Sequence, residues 1–236
     1  MSGDQGQSPE VVETLDRALG QIDSARSYNR WLYDRARPEL GRRVADVGAG
    51  VGTFTALAAA DGHEVHAVEP EAAFAAHLRR RFADSPGVVV VEGEIDALEP
   101  EVDSAICFNV LEHITDDAAT LRSIADRLVS GGRLFLLVPA HERLFGGYDR
   151  AAGHLRRYSK PKLRRLLREA GLEVETLRHV NPVGAAGWLV RVATSSSPEW
   201  PSGSFAAFDR LVPLFRPLDH VPLPFGLSLW AVARKP

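Results

Sequence analysis

Apolar positions along this chain switch between two periods. Short apolar runs recur at positions 43–47, 65–69, 88–92, 105–109 and 134–139. Runs of this length, bounded by Gly, Pro, Asn or Asp, read as strands. The run Val88-Val89-Val90-Val91 is continuous and β-branched, which predicts a strand covered on both faces. The intervening segments 53–60, 71–83 and 116–129 carry the 3.6-residue period of helices. The last is the best defined. Thr115 is placed to cap it, Asp116 and Asp117 fall in its first turn, and Gly131 follows its end. Its apolar stripe is Ala118, Leu121, Ile124, Ala125 and Leu128. Strand–helix alternation of this kind predicts an α/β fold with a doubly wound, mostly parallel sheet.

The flanks extend the pattern. Segment 11–37 is helical, with Val12, Leu15, Leu19 and Ile22 on one face. Tyr28, Trp31, Leu32 and Ala36 form a more aromatic face, and Pro38 and Gly41 end the segment. Segment 159–170 is a second helix, with Ser159 as its cap, Pro161 in the first turn, Leu163, Leu166 and Leu167 facing inward, and Gly171 after it. Strands follow at 172–180 and 228–234. The final one comes after a Pro/Gly turn with no crossover helix, so an antiparallel place is open to it. The count is seven strands. Residues 181–226 are too long for a connection and carry Trp188, Trp200, Phe205, Phe208, Phe215 and seven prolines. A substrate lid, extra core, a dimer interface or loose membrane attachment through Arg191, Arg210 and Arg216 all fit this stretch. The chain reads as a disordered tail at 1–10 and one domain at 11–236. The domain has a helical cap at 11–40 and lid or acceptor-site insertions at 140–158 and 181–227.

Composition changes this picture little. The 236 residues are 45% hydrophobic and 25% charged, ordinary for one globular core. A net charge of -3 gives no nucleic-acid footprint. The single cysteine, Cys107, rules out a disulfide framework and a cysteine zinc site. No apolar run approaches the roughly 20 residues of a bilayer span. Met1 to Glu10 is polar, without the basic and apolar regions of a secretory signal, so the expected compartment is the cytoplasm. The expected assembly is a monomer or homodimer.

Chemistry enters at the first strand–helix turn, Asp46-Val47-Gly48-Ala49-Gly50-Val51-Gly52. Glycines there permit a tight turn and close approach of backbone N–H groups to a ligand. The spacing is G-x-G-x-G, and the third position of a dinucleotide fingerprint is taken by Thr53. Asp46, two residues before the first glycine, repels a pyrophosphate and suits a cationic ligand. Both features argue against a nicotinamide oxidoreductase. Glu69, followed by Pro70, ends the second strand, where a carboxylate can accept two ribose hydroxyl protons. Glu94 follows the third strand and can accept from an adenine amino group, with the Ile95 N–H facing a ring nitrogen. Alone, the loop is equally a plain structural turn. Acidic positions at three successive strand ends, on the ligand-binding side of such sheets, favour a ligand.

With these residues the chain resembles the class I S-adenosylmethionine-dependent methyltransferases, which have a Rossmann-like fold. The segment Cys107-Phe108-Asn109-Val110-Leu111-Glu112-His113-Ile114-Thr115-Asp116-Asp117 looks like that family's post-strand motif, and Gly131-Gly132 before the fifth strand is also typical. The resemblance is closest to a bacterial, small-molecule subgroup. That subgroup has an aromatic helix like Tyr28-Asn29-Arg30-Trp31-Leu32-Tyr33 and a loop like Gly153-His154-Leu155-Arg156-Arg157-Tyr158. Its later features, Asn181-Pro182, Gly187-Trp188 and Pro224-Phe225-Gly226-Leu227-Ser228, are similar too. Asp46 departs from the glutamate of many relatives. The resemblance implies S-adenosyl-L-methionine as methyl donor. It places the donor's amino group at the backbone near Asn109 and Val110, and His113 at the border of the acceptor pocket. It carries no acceptor. A donor-binding protein of the same fold, with a cyclase or regulatory role, is the alternative.

A base is needed only where the acceptor must lose a proton. His154 with Asp149 is the preferred pair, with His113 as a further candidate. His141, Tyr148, Arg157, Tyr158 and Trp188 are candidates for contacting a small-molecule acceptor, Arg157 through its planar fork. The competing role for 153–158 is a hydrogen-bonded staple of the lid. The competing role for His113 is a helix-start or core histidine. Tyr28 can bond the donor carboxylate and Trp31 can shield the sulfonium, or both can simply pack on the sheet. His141, His154 and Asp149 match no usual metal-ligand spacing, and no metal is expected.

Overall fold

The structure, a computed structural model, describes residues 25–99, 101–185, 204–216 and 224–236. The expected tail at 1–10, the first half of the N-terminal helix, Trp188 and Trp200 lie outside these residues. The elements run α1 (Arg26–Ala36), β1 (Arg43–Val47), α2 (Thr53–Ala60), β2 (Glu64–Glu69), α3 (Ala72–Arg81), β3 (Val88–Glu92) and β4 (Val102–Phe108). They continue α4 (Asp117–Arg127), β5 (Leu128–Pro139), α5 (Gly147–Ala151), α6 (Lys160–Glu169), β6 (Glu173–Val180), α7 (Ser204–Phe215) and β7 (Ser228–Arg234). One seven-stranded sheet has the order β3-β2-β1-β4-β5-β7-β6. β7 lies antiparallel between β5 and β6, and the other neighbouring strands pair in parallel. The expected Rossmann-like, doubly wound sheet with an antiparallel last strand is the fold observed.

Two-residue alternation sends successive side chains to opposite faces. Ala45, Cys107, Leu136 and Ala231 join Leu121, Ile124, Leu163 and Leu167 of α4 and α6 in one core layer. Val44, Ile106, Phe135 and Trp230 join Trp31, Leu32, Tyr33 and Ala58 of α1 and α2 in the other. The central strands are therefore apolar on both sides. The valine run of β3 is the exception. It forms a sheet edge, and Val89 is 46% exposed. The expectation of a doubly covered strand was wrong because β-branched runs suit an extended backbone whether or not a second face is covered.

Two caps also differ. Asp116, not Thr115, caps α4, and its carboxylate accepts from the Ala119 N–H at 2.8 Å. Ser159 makes no side-chain cap, and its hydroxyl donates instead to Glu142 at 2.9 Å. α7, inside the aromatic insertion, is tied to α1. The Tyr28 N–H donates to Asp209 at 2.8 Å, and Arg216 pairs with Asp34 at 2.6 Å.

Tyr158 anchors the loop after β5. It is fully buried, with its hydroxyl 2.9 Å from Asp117 Oδ2 and 3.1 Å from the Leu111 carbonyl oxygen. Removing that hydroxyl leaves buried acceptors short of a donor. Tyr158→Phe is expected to lower unfolding free energy by about 1–3 kcal/mol, measured by urea denaturation. A change within error would show the hydroxyl bonds to be without net weight.

Candidate functional site

The glycine loop closes on β2. The Gly48 and Ala49 N–H groups both donate to the Val68 carbonyl oxygen, at 2.8 and 3.0 Å. The Gly50 N–H donates to Glu69 Oε2 at 2.7 Å. Gly48, Gly50 and Gly52 have φ of 68, 53 and 85°, the left-handed region that glycine tolerates. Space adds a second constraint at Gly48, where a Cβ would lie 2.7 Å from both γ-methyls of Val110. Val110 belongs to the turn after β4, so the first and fourth strand ends meet at this point. Asn109, beside it, takes a positive φ of 55° while its N–H donates to the Leu137 carbonyl oxygen at 2.9 Å.

The acidic positions serve different ends. Glu69 is buried. Its second oxygen accepts from the Glu71 N–H at 3.0 Å, and burial pushes its pKa up. Each oxygen keeps a further lone pair. Asp46 is also buried and accepts from the Thr55 hydroxyl at 2.6 Å, which fastens the first turn of α2 to β1. Its pKa is pushed up to about 6, chiefly by burial. Glu94 is exposed and Ile95 buried, flanking the turn after β3, and Pro70 is exposed after β2.

A second cluster forms where the turn after β4 meets the loop after β5. Asp149 is fully buried, and three groups converge on it. His154 Nδ1 and Arg157 Nε lie 2.9 and 2.8 Å from Oδ1, and the Gly146 N–H donates to Oδ2 at 2.9 Å. Burial works to raise the Asp149 pKa, but the bonds from His154 and Arg157 outweigh it and hold the group below its ordinary value. The His113 ring stands edge-on to His154, with centroids 4.9 Å apart. Burial and the neighbouring His154 push the His113 pKa down to about 4. The expected trio His154, Asp149 and His113 is thus brought together. Glu112, which the sequence reading passed over as a site residue, sits with them. It is 1% exposed, and burial pushes its pKa up to about 7. The signal available was its place next to His113 in a turn at the ligand-binding edge.

Other candidates are engaged elsewhere. Tyr158 is a core residue, a correction to its expected acceptor contact. Arg157 is 3% exposed, and its fork is spent inside the loop on Asp149 and the Ala140 carbonyl oxygen, at 3.3 Å for the latter. That corrects its expected reach to an acidic acceptor and matches the staple role. His141 has a positive φ of 64° and stacks between His179 and Phe225, with its Nε2 3.0 Å from the Gly226 carbonyl oxygen. It fastens the end of the aromatic insertion to the sheet. Tyr148 is half-buried beside His154, with ring centroids 6.4 Å apart. Trp31 is 6% exposed in the α1–α2 core layer, with the Arg35 guanidinium 4.8 Å from its ring centroid. Tyr28 lies against its ring at 5.5 Å. The helix-packing role accounts for both contacts.

A methyltransferase-domain family model matches residues 16–177. The chain is 30% identical over 193 residues to a ubiquinone biosynthesis O-methyltransferase of Xanthomonas euvesicatoria pv. vesicatoria, covering 72% of this chain and 78% of that one. The chain belongs to the S-adenosylmethionine-dependent methyltransferases. This methyltransferase is also 32% identical over 142 residues to a 37.1 kDa protein in transposon TN4556 of Streptomyces fradiae, covering 58% of this chain and 41% of that relative's length. Among solved structures, Haemonchus contortus phosphoethanolamine N-methyltransferase 2 in complex with S-adenosyl-L-methionine superposes with a TM-score of 0.62. The identity is 19%, and the match covers 89% of this chain and 53% of that one, a likeness of fold. The family's donor is S-adenosyl-L-methionine. The strand-end chemistry of this chain fits it, because Glu69 keeps acceptor capacity beside a loop whose Gly48, Gly50 and Gly52 carry no side chain.

Asp46 yields a pH prediction. Its folded pKa of about 6 lies above the unfolded value of 3.8. The native state therefore binds more protons between these values, so the contribution is full below pH 3.8 and lost as pH rises through about 6. Urea denaturation across this window should show wild type losing about 1–3 kcal/mol relative to Asp46→Asn. Parallel pH profiles for the two proteins would contradict this assignment.

Proposed function

We propose that this methyltransferase moves a methyl group from S-adenosyl-L-methionine to a small-molecule acceptor and releases S-adenosylhomocysteine. The observation that carries the reading is the meeting of two chemistries at one sheet edge. Val110 touches Gly48 of the donor-type loop, and Glu112 and His113 follow it directly into the cluster with His154 and Asp149. In this reading Glu69 accepts from the ribose hydroxyls, followed in the chain by Pro70. Glu94 and Ile95 face the adenine, and the backbone at Asn109 and Val110 faces the methionine amino group. Gly48, Gly50 and Gly52 let the backbone approach the donor, with Asp46 holding the helix behind them. Trp188 and Tyr148 are the aromatic candidates for the acceptor side.

The donor supplies its own reactivity, a carbon bound to positively charged sulfur. The chain's task is alignment, exclusion of water and handling of a proton. The Xanthomonas relative is named for O-methylation, which favours an oxygen acceptor. The acceptor oxygen forms the new O–C bond, the C–S bond breaks with its electron pair going to sulfur, and the hydroxyl proton leaves at the His154–Asp149 dyad. The Asp149 contact keeps a proton on His154 Nδ1 and leaves the Nε2 lone pair to act.

Purified protein, donor and a panel of phenols, sugars and lipid-linked alcohols test this. The expected result is a product one CH2 unit heavier, with S-adenosylhomocysteine formed in equal amount. Donor bound but never consumed would instead make this a cyclase or a regulatory binder. Glu69→Ala should weaken donor binding by about 1–3 kcal/mol in calorimetry, as for loss of a charged hydrogen-bond partner. His154→Ala should bind donor as wild type does and lose turnover. Undiminished turnover would remove the dyad from the reaction.

A further inference from the structure

Glu112 poses a physical problem. A carboxylate 1% exposed normally has a donor for each oxygen, yet among the described residues neither of its oxygens has a hydrogen-bond partner. The charges of His154 and Arg157 act in its favour but do not outweigh its burial, and Arg157 hydrogen-bonds Asp149 rather than Glu112. What does lie within reach is a pair of imidazoles. One ligand-type atom from each of Glu112, His113 and His154 falls within 4.8 Å of the others.

Both imidazoles have their second nitrogen occupied in the manner of metal-binding histidines. His154 Nδ1 bonds Asp149, and this carboxylate is in turn held by Arg157 and the Gly146 N–H. A ring N–H of His113 donates to the Gly153 carbonyl oxygen. Each ring therefore keeps one lone pair. A histidine whose far nitrogen is fixed by a carboxylate or a carbonyl is the usual outer-shell arrangement of a metal site.

We propose that Glu112, His113 and His154 bind one divalent first-row transition-metal cation. Two imidazoles and one carboxylate form a ligand set that suits zinc, iron, manganese or cobalt, and it leaves coordination positions open. Metal–ligand bonds of about 2.0–2.2 Å in tetrahedral geometry put ligand atoms about 3.3–3.6 Å apart, and the three atoms here lie within 4.8 Å of one another, so any shift needed is about 1.5 Å at most. Rotation of the side chains supplies a movement of that size. The negative charge of Glu112 then acquires the counter-charge that its burial calls for.

The consequence for catalysis rests on the methyl-transfer reading given above. With the cation bound, the His154 Nε2 lone pair is no longer free to take a proton. The cation does that work by binding the acceptor oxygen and lowering its pKa, and the proton leaves to water. Asp149 is then a positioning residue that acts through His154.

The metal site is testable with no donor and no acceptor, so its failure and that of methyl transfer are distinguishable. Full-length protein is stripped with a chelator, dialysed, and titrated with Zn2+ and with Co2+ by calorimetry, with the visible absorption of bound Co2+ as a second readout. The expected result is one strong site per chain. Glu112→Gln, His113→Gln and His154→Gln should each weaken it at least about tenfold, and Asp149→Asn by about 10–100-fold. Far-UV circular dichroism and S-adenosylhomocysteine binding establish that each variant is folded. If Glu112→Gln does not fold, the two histidine variants decide. Absence of a stoichiometric site in wild type overturns the proposal. So does equal affinity in the folded histidine variants, which would assign the binding to other histidines.

Discussion

The loop after β5 depends on one buried carboxylate. Asp149 has no solvent exposure, so its charge persists only while donors surround it. His154, Arg157 and the Gly146 N–H supply them from both ends of the loop after β5. The loop is thus closed by an electrostatic requirement as well as by the apolar packing of Ala140 and Tyr158 at its two ends. Removing one partner from such a pair typically costs about 3–5 kcal/mol, because the remaining charge stays buried. That cost fixes the orientation of the His154 ring and, through it, the contact with His113. Tyr158, one residue beyond Arg157, then ties the same loop to the turn after β4 through Leu111 and the start of α4 through Asp117.

Topology explains why the two chemistries meet. Sheet order reverses between β1 and β4, and in open α/β sheets the crevice at such a reversal lies beyond the carboxyl ends of the strands. The glycine loop leaves β1 and the Asn109–His113 turn leaves β4, so both rise from that crevice. The close approach of Gly48 and Val110 is its floor. A side chain at position 48 would push the β4 turn away from the loop, and a left-handed φ there excludes most residues independently of space. Glycine at this position therefore holds two strand ends together as much as it admits a ligand.

Most of the fold was legible because it rests on local signals: strand length, the 3.6-residue period and Gly or Pro punctuation. What failed were judgements that need neighbours. The valines of β3 have the pattern of a central strand and lie at an edge, since a strand's sequence does not encode which strand pairs beside it. Thr115 and Ser159 had the right type for caps, but adjacent partners, Asp116 and Glu142, changed the bonds made. The site shows the same division. His154, Asp149 and His113 were legible as candidates, and the structure brings them together. Tyr158 and Arg157 were misread because an aromatic or a cation in a loop looks exposed until its burial is known. Glu112 was passed over for the opposite reason: an acid in a turn reads as solvated, and only the structure reveals that it is buried and unmatched.

The charges around the crevice also have a common sense. Asp46, Glu69, Glu112 and Asp149 are all buried, on the loops and strand ends that frame it. Burial raises the pKa of the first three, so each destabilises the fold in its ionised form. Only Asp149 is compensated well enough to fall below its ordinary value. Strongly perturbed acids of this kind concentrate at functional sites. The sulfonium of the proposed donor and the metal ion proposed at Glu112 are two cations that would offset this cost. A cation on either side relieves the acids nearest to it most, because Coulomb energy falls with distance. On these two proposals the frame gains stability when both sides are filled, and the order of the crevice becomes a property of its ligands as well as of its chain.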